Sequence, residues 1–279
     1  MTPLARLAEI AILFSLNQRK WAVVTETRSG VLAGRRALVT GGGQGVGRGI
    51  ALALAAEGAS VMLLGRTAAT LQGVQAEIAA AGGSANAVVA DVRNPADVER
   101  AVRETVGWLG GLDILVNNAQ ISALGSVLSV DEADYIACWE SGPLAAFRFM
   151  RACHPHLGPG SVVVNLGSGT SVNPMPVGRG VYASAKAAIA TLSRTAGVEW
   201  GPDGIRVLTV LPAATSPTAE EWAQRNPSEY ERSLQSIPLR RLGDPIEDIG
   251  RAVAFLCGPA AQFISATTIA LDGGQAYLR

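Results

Sequence analysis

"TGGGQGVGRGIALAL", residues 40–54, continues the apolar run "ALVT" at 37–40 and opens an alanine-rich helical stretch. Gly41, Gly45 and Gly47 stand where a strand-to-helix turn needs them. The first makes the tight turn, the second lets backbone approach a pyrophosphate, and the third lets the helix pack closely on the strand. A helix that starts directly after such a turn offers free N–H groups and the positive end of its dipole to an anion. A glycine cluster alone is weak evidence. The strand before it and the helix after it turn the cluster into a dinucleotide-binding reading.

Outward from this turn, short β-rich apolar runs alternate with longer alanine-rich segments. Strands are expected at 37–40, 60–65, 85–90, 112–117, 161–167, 205–211 and 268–273, and helices at 46–57, 68–81, 95–109, 131–154, 180–200 and 245–257. Most of the strand runs are too apolar to expose a face, as parallel strands covered on both sides must be. The alternation predicts an α/β fold: a single Rossmann-type, doubly wound domain over 34–279. The rhythm breaks at 212–243, a segment with Pro212, Pro217, Pro227 and Pro238 and no good strand, expected to lie over a site as a substrate loop.

Composition narrows the function classes. The chain has 279 residues, 23 basic and 23 acidic side chains, and no charge run, which argues against a nucleic-acid partner. Cys138, Cys153 and Cys257 are widely spaced and fit a reducing, cytoplasmic setting, and His154 and His156 flank Pro155 without neighbouring ligands, so no metal site is expected. Residues 1–33 form an extension in which Leu4, Leu7, Ala8, Ala11 and Phe14 fall at helical spacing. Its run "IAILFSL" is far short of the roughly 20 apolar residues that cross a bilayer, and Glu9 interrupts the signal-peptide pattern.

The second strand ends in "LLGRT" instead of an acidic residue that would hold an NAD ribose 2′-hydroxyl. Gly65 leaves space and Arg66 supplies a cation, which favours NADP over NAD; neutral Gln44 tempers the preference, and a solvated Arg66 would read the same. Asp91, after the third strand, is placed either to accept from an adenine amino group or to cap the next turn.

The chain has 2 lysines, and one of them stands four residues after Tyr182 in "VYASAKAAIA", residues 181–190. On a helix the two share a face. A phenol with a pKa near 10 is a poor base at neutral pH, and an adjacent ammonium would stabilise its phenolate. Upstream, Ser168 lies at the carboxyl end of the fifth strand, where open α/β sheets bind ligands, with Ser171 as a second candidate; either could instead serve its own turn.

"TGGGQGVG", "NNA" at 117–119, Ser168 and "YASAK" together resemble the short-chain dehydrogenase/reductase family, over about residues 33–279. Within the family, the 3-oxoacyl-acyl carrier protein reductase-like members are the most similar. The resemblance implies a seven-stranded parallel sheet with helices on both faces, a homotetramer or dimer, and NAD(P)-dependent interconversion of a small-molecule carbonyl and a secondary alcohol. It implies Tyr182 as acid/base, Lys186 on ribose and tyrosine, and Ser168 on the substrate oxygen. The cofactor set it implies is Gly41, Gly43, Gln44, Gly45, Val46 and Gly47, then Arg66 and Thr67, Asp91 and Val92, Asn118 and Ala119, and Pro212 and Thr215, with Tyr182 and Lys186.

Three places depart from the family pattern. Gln120 stands where the family has glycine after "NNA", Gly142 stands where a relay asparagine is usual, and Ala213 follows Pro212 where glycine is usual. Gln120, Gly142 and Trp222 are therefore assigned to the substrate pocket, and the space at Gly142 is read as a solvent path. Trp139, Trp222, Tyr230 and Leu234 suggest a bulky, apolar substrate, or equally the packing of a lid or a subunit interface. The departures keep two other readings open: a dinucleotide-binding sensor or structural subunit of the same fold, and an epimerase or dehydratase that uses the hydride transiently.

Overall fold

The computed structural model describes residues 30–173 and 178–276. The expected N-terminal helix, in residues 1–29, lies outside them. Seven parallel strands form one sheet in the order β3-β2-β1-β4-β5-β6-β7. They are β1 (Arg36–Thr40), β2 (Ser60–Gly65), β3 (Ser84–Val89), β4 (Ile114–Asn117), β5 (Val162–Leu166), β6 (Arg206–Pro212) and β7 (Thr267–Leu271). All seven expected strands are present, with ends displaced by a residue or two.

Period-two alternation divides each strand between two apolar layers. Ala37, Val39, Val61, Leu63, Ile114 and Val116 face one layer, together with Ile50 and Leu54 of α1 (Gly45–Ala56). Leu38, Met62, Leu64 and Leu115 face the other, against α3 (Pro95–Leu109) and α5 (Ala145–Cys153). Helix α2 (Ala68–Ala80) joins the first layer through Leu71, Val74 and Ile78, and α6 (Gly180–Glu199) joins the second through Ala196. The strand order reverses between β1 and β4. There the crossovers leave on opposite faces and a crevice opens at the carboxyl ends of the strands.

The helix expected at 131–154 is present as one continuous helical run that carries a π bulge. Helix α4 (Glu132–Trp139) and α5 are joined by a wide π turn, Glu140–Leu144, that contains Pro143. Proline lacks an N–H and its ring excludes the carbonyl one turn back, so the ladder slips to wider spacing there. Pro245 opens a second such turn, Pro245–Gly250, before α9 (Arg251–Cys257). Between β6 and this turn, the proline-rich segment folds into two short helices, α7 (Pro217–Arg225) and α8 (Pro227–Gln235). Among the described residues, no helix is long and apolar enough to cross a membrane.

Candidate active site

The glycine turn closes on itself so tightly that side chains have no room. Gly41 and Gly45 take positive φ angles of 66° and 53°. A Cβ at Gly47 would lie 2.2 Å from the Gly41 carbonyl oxygen and 2.4 Å from Asn118 Nδ2, and one at Gly43 would lie 2.7 Å from Thr70 Oγ1. Gln44 is extended and its side chain caps none of the first N–H groups of α1, and Val46 packs inward beneath it. A bare backbone turn that leads into an uncapped helix start fits a pyrophosphate.

Thr40, which carries no role in the sequence reading, ties this turn to the next strand. Its Oγ1 accepts from the backbone N–H groups of Asn118 at 2.9 Å and Ala119 at 3.1 Å. Asn118 Nδ2 donates in return to the carbonyls of Thr40 at 3.0 Å and Gly41 at 3.2 Å. Its only signal in the sequence is a hydroxyl at the junction of strand and turn.

At the second strand's end, Gly65 is followed by exposed Arg66, and Thr67 precedes α2. Asp91 serves the turn after β3. Its carboxylate accepts from the Arg93 backbone N–H at 2.9 Å and pairs with the Arg93 guanidinium at 2.7 Å. That hydrogen bond with Arg93 holds the Asp91 carboxyl below the usual range against the opposing effect of burial, and the charge of Arg66 adds to it. Val92 is buried beside it.

Helix α6 carries Tyr182 and Lys186 one turn apart, and the fold brings β5 beneath them. Lys186 is almost fully buried and donates through Nζ to the Leu166 carbonyl at 2.6 Å, with Nζ 5.6 Å from the Tyr182 ring centre. Burial pushes the lysine down to about 7. Burial also raises the tyrosine, opposed by a hydrogen bond with Ser168 and by the charge of Arg179. Desolvation thus outweighs the combined effect of Ser168 and Arg179.

Ser168 meets Tyr182 and also caps a short 3-10 turn, accepting from Thr170 N–H at 3.3 Å and Thr170 Oγ1 at 2.9 Å. With both acceptor positions used, its own O–H is left to donate. Ser171 donates its hydroxyl to the Ser168 carbonyl at 2.7 Å.

The altered corners form the rim of this arrangement. The Gln120 side chain lies on Gly142, so a Cβ at 142 would sit 2.7 Å from its Cδ and Nε2. The space read as a solvent path is filled by this carboxamide, a contact between residues too far apart in sequence for local spacing to reveal. Pro212 ends β6, and Ala213 donates to the Leu271 carbonyl at 3.0 Å. Gly243 then accepts from Thr215 N–H at 3.0 Å and donates to the Ala213 carbonyl at 2.9 Å, so the two ends of the inserted segment are joined. Trp222 lies on α7, half exposed, edge-on to Tyr230 with ring centres 6.0 Å apart.

Comparison with known proteins places this geometry in a lineage. A family model described as "Enoyl-(Acyl carrier protein) reductase" matches residues 41–276. The chain is 38% identical over 256 residues to 12alpha-hydroxysteroid dehydrogenase of Clostridium sp. (strain ATCC 29733 / VPI C48-50), which covers 88% of this chain and 98% of that protein. A dehydrogenase/reductase from Sinorhizobium meliloti 1021 superposes with a TM-score of 0.84 at 36% identity, covering 89% of this chain and 98% of its own. A short chain dehydrogenase from Burkholderia cenocepacia J2315, solved in complex with NADP, superposes at 0.82 with 34% identity, covering 88% and 98%. The glycine turn, the seven-stranded parallel sheet and these matches agree: the chain belongs to the short-chain dehydrogenase/reductase family of oxidoreductases.

Proposed function

We propose that the protein interconverts a carbonyl and a secondary alcohol by hydride transfer, with Tyr182 as the acid/base and NADP as the preferred cofactor. The observation that carries the reading is the convergence of Ser168, Tyr182 and Lys186 at the carboxyl end of β5, with Lys186 lining one cavity with Thr40 at the start of the glycine turn. The nicotinamide, when bound, supplies or accepts the hydride. In the reducing direction Tyr182 gives its phenolic proton to the substrate oxygen while the Ser168 hydroxyl steadies that oxygen. Lys186, poised near neutral pH by its burial, can return a proton to the tyrosine at working pH. In the oxidising direction the same groups run in reverse.

NADP is favoured by Arg66 after Gly65, where a guanidinium can meet a 2′-phosphate, and by the absence of a carboxylate at that strand end. The proposed substrate is bulky and apolar. Leu124, Val127 and Leu128 are exposed on the loop after β4, where Val127 Cγ2 would lie 3.5 Å from a Cβ at Gly180, two residues before Tyr182. The hydroxysteroid dehydrogenase among the relatives fits this class.

The test is NADPH and NADH oxidation with a panel of bulky ketones, steroids included, by the wild type and Tyr182→Phe. The expected result is turnover faster with NADPH, and a loss of about 100-fold or more in kcat for the variant with NADPH binding retained. A wild type that binds NADPH but turns over nothing, together with a silent substitution, would replace this reading with the dinucleotide-binding subunit.

A further inference from the structure

Positions 120 and 142 each depart from the family pattern, and the structure makes the two departures one. The carboxamide of Gln120, on the loop after β4, lies flat on Gly142 in the π turn, with Nε2 2.7 Å and Oε1 2.9 Å from where a Cβ at 142 would be. No side chain at 142 can share that space with Gln120 as placed. One end of the amide is engaged, Nε2 donating to Cys138 Sγ at 3.4 Å. The other end, Oε1, is buried without a partner. Turning the amide over would exchange the two atoms and still leave one unpaired.

Through Cys138 this amide adjoins the cluster that takes in Tyr182. Cys138 is fully buried in the apolar cluster that contains Ala185 and takes in Tyr182. Gly142, on which the amide rests, walls a small enclosed cavity of about 10 Å³ that is also lined by Lys186, Thr40 and Asn117. Asn117 Oδ1 is a second buried oxygen without a partner. The neighbouring contacts hold the loop to the helix: Ser141 Oγ accepts from Ile121 N–H at 3.0 Å and donates to the Ala137 carbonyl at 2.6 Å. Buried polar groups are costly to leave unpaired, so one kept on Gly142, which shares a cavity wall with Lys186, calls for a role.

We propose that Gln120 and Gly142 are an exchanged pair: the carboxamide that the family pattern carries on the helix at 142 is contributed here by the loop at 120, as a positioning residue for Lys186 and Tyr182. The proposal rests on the reading of Tyr182 as acid/base. Gln120 makes no bond to the reacting atoms. It acts by fixing Gly142 in the wall of the Lys186 cavity and Cys138 in the cluster that takes in Tyr182.

The test compares the wild type, Gln120→Met, Gly142→Asn and the double variant Gln120→Gly/Gly142→Asn. The measurements are kcat against pH for NADPH-dependent reduction, NADPH binding by fluorescence, and thermal midpoint. Methionine fills the volume without an amide, so Gln120→Met is expected to keep the thermal midpoint and NADPH binding. Its kcat is expected to fall roughly 10- to 100-fold, with a displaced pH midpoint. Gly142→Asn alone is expected to lose both rate and thermal stability, because two amides compete for one space, and the double variant to recover most of both.

Wild-type rate and pH profile in Gln120→Met would reduce Gln120 to filler and overturn the proposal. So would a double variant no better than Gly142→Asn. A wild type silent on every ketone would fail the reading of Tyr182. The thermal midpoints of the four proteins would then still decide the exchange, since additive shifts would overturn it.

Discussion

Lys186 shows how much a single side chain can cost the fold. In a chain with 2 lysines, this ammonium is buried against β5 and lowered to about 7, while in the unfolded chain it keeps a value near 10.5. Between those two values the unfolded state binds more protons, so stability rises with pH across that window; below about 7 the full penalty of the buried charge is present. The wild type should therefore gain thermal stability from neutral pH toward pH 10. Lys186→Met should be more stable at neutral pH, on the order of a few kcal/mol, with a flatter pH dependence. Thermal midpoints of both proteins across that range check the sign, and parallel curves would sink the argument. Tyr182 and Lys186 were legible because one helical turn separates them. The choice between Ser168 and Ser171 was not, because both follow the same strand and local spacing sets neither against Tyr182.

Between elements, close helix contact is made by glycines whose partners are far away in sequence. A Cβ at Gly49, on α1, would lie 2.1 Å from the Pro245 carbonyl oxygen, and one at Gly250 would lie 2.5 Å from the Gly49 carbonyl oxygen. The two backbones interlock there, so the alanine methyl at 49 has to push α1 and the π turn apart. Gly49→Ala is expected to destabilise by about 1–3 kcal/mol. Gly73, inside α2 and exposed, has nothing within 4 Å of its Cβ position. Gly73→Ala is expected to stabilise by about 0.5–1 kcal/mol through helix propensity alone. Urea midpoints of the two variants should move in opposite directions. The sequence shows both glycines in helical stretches and does not distinguish them, because the difference is a contact with a segment almost 200 residues away. The π bulge at 140–144 has its signal in Pro143, while the alanine and aromatic neighbours keep the run helical on both sides of it.

Among the described residues, one sheet is packed on both faces and one part is lightly attached. The sheet and its flanking helices enclose two apolar layers, whereas α8 has no buried residue, and α7 packs chiefly on α8. The bonds between Gly243 and residues 213 and 215 fasten only the base of this flap. Segments with few buried contacts open at low free energy. Limited proteolysis should therefore cut first within 217–236, leaving NADPH binding largely intact, and a substrate that seats under the flap should slow the cut. First cleavage within the α3 or α6 region instead would contradict this account.

The order of strands and helices, the glycine turn, and the pairing of Tyr182 with Lys186 were all written in local pattern. Each depends on residues a few positions apart, where periodicity and backbone chemistry act directly. The meeting of Ser168 with Tyr182, the knot of Thr40 with Asn118, the burial that shifts Lys186, and the carboxamide of Gln120 resting on Gly142 join residues from different elements. Such contacts exist only once the sheet has set which loop lies against which helix, and that is a property of the packed molecule.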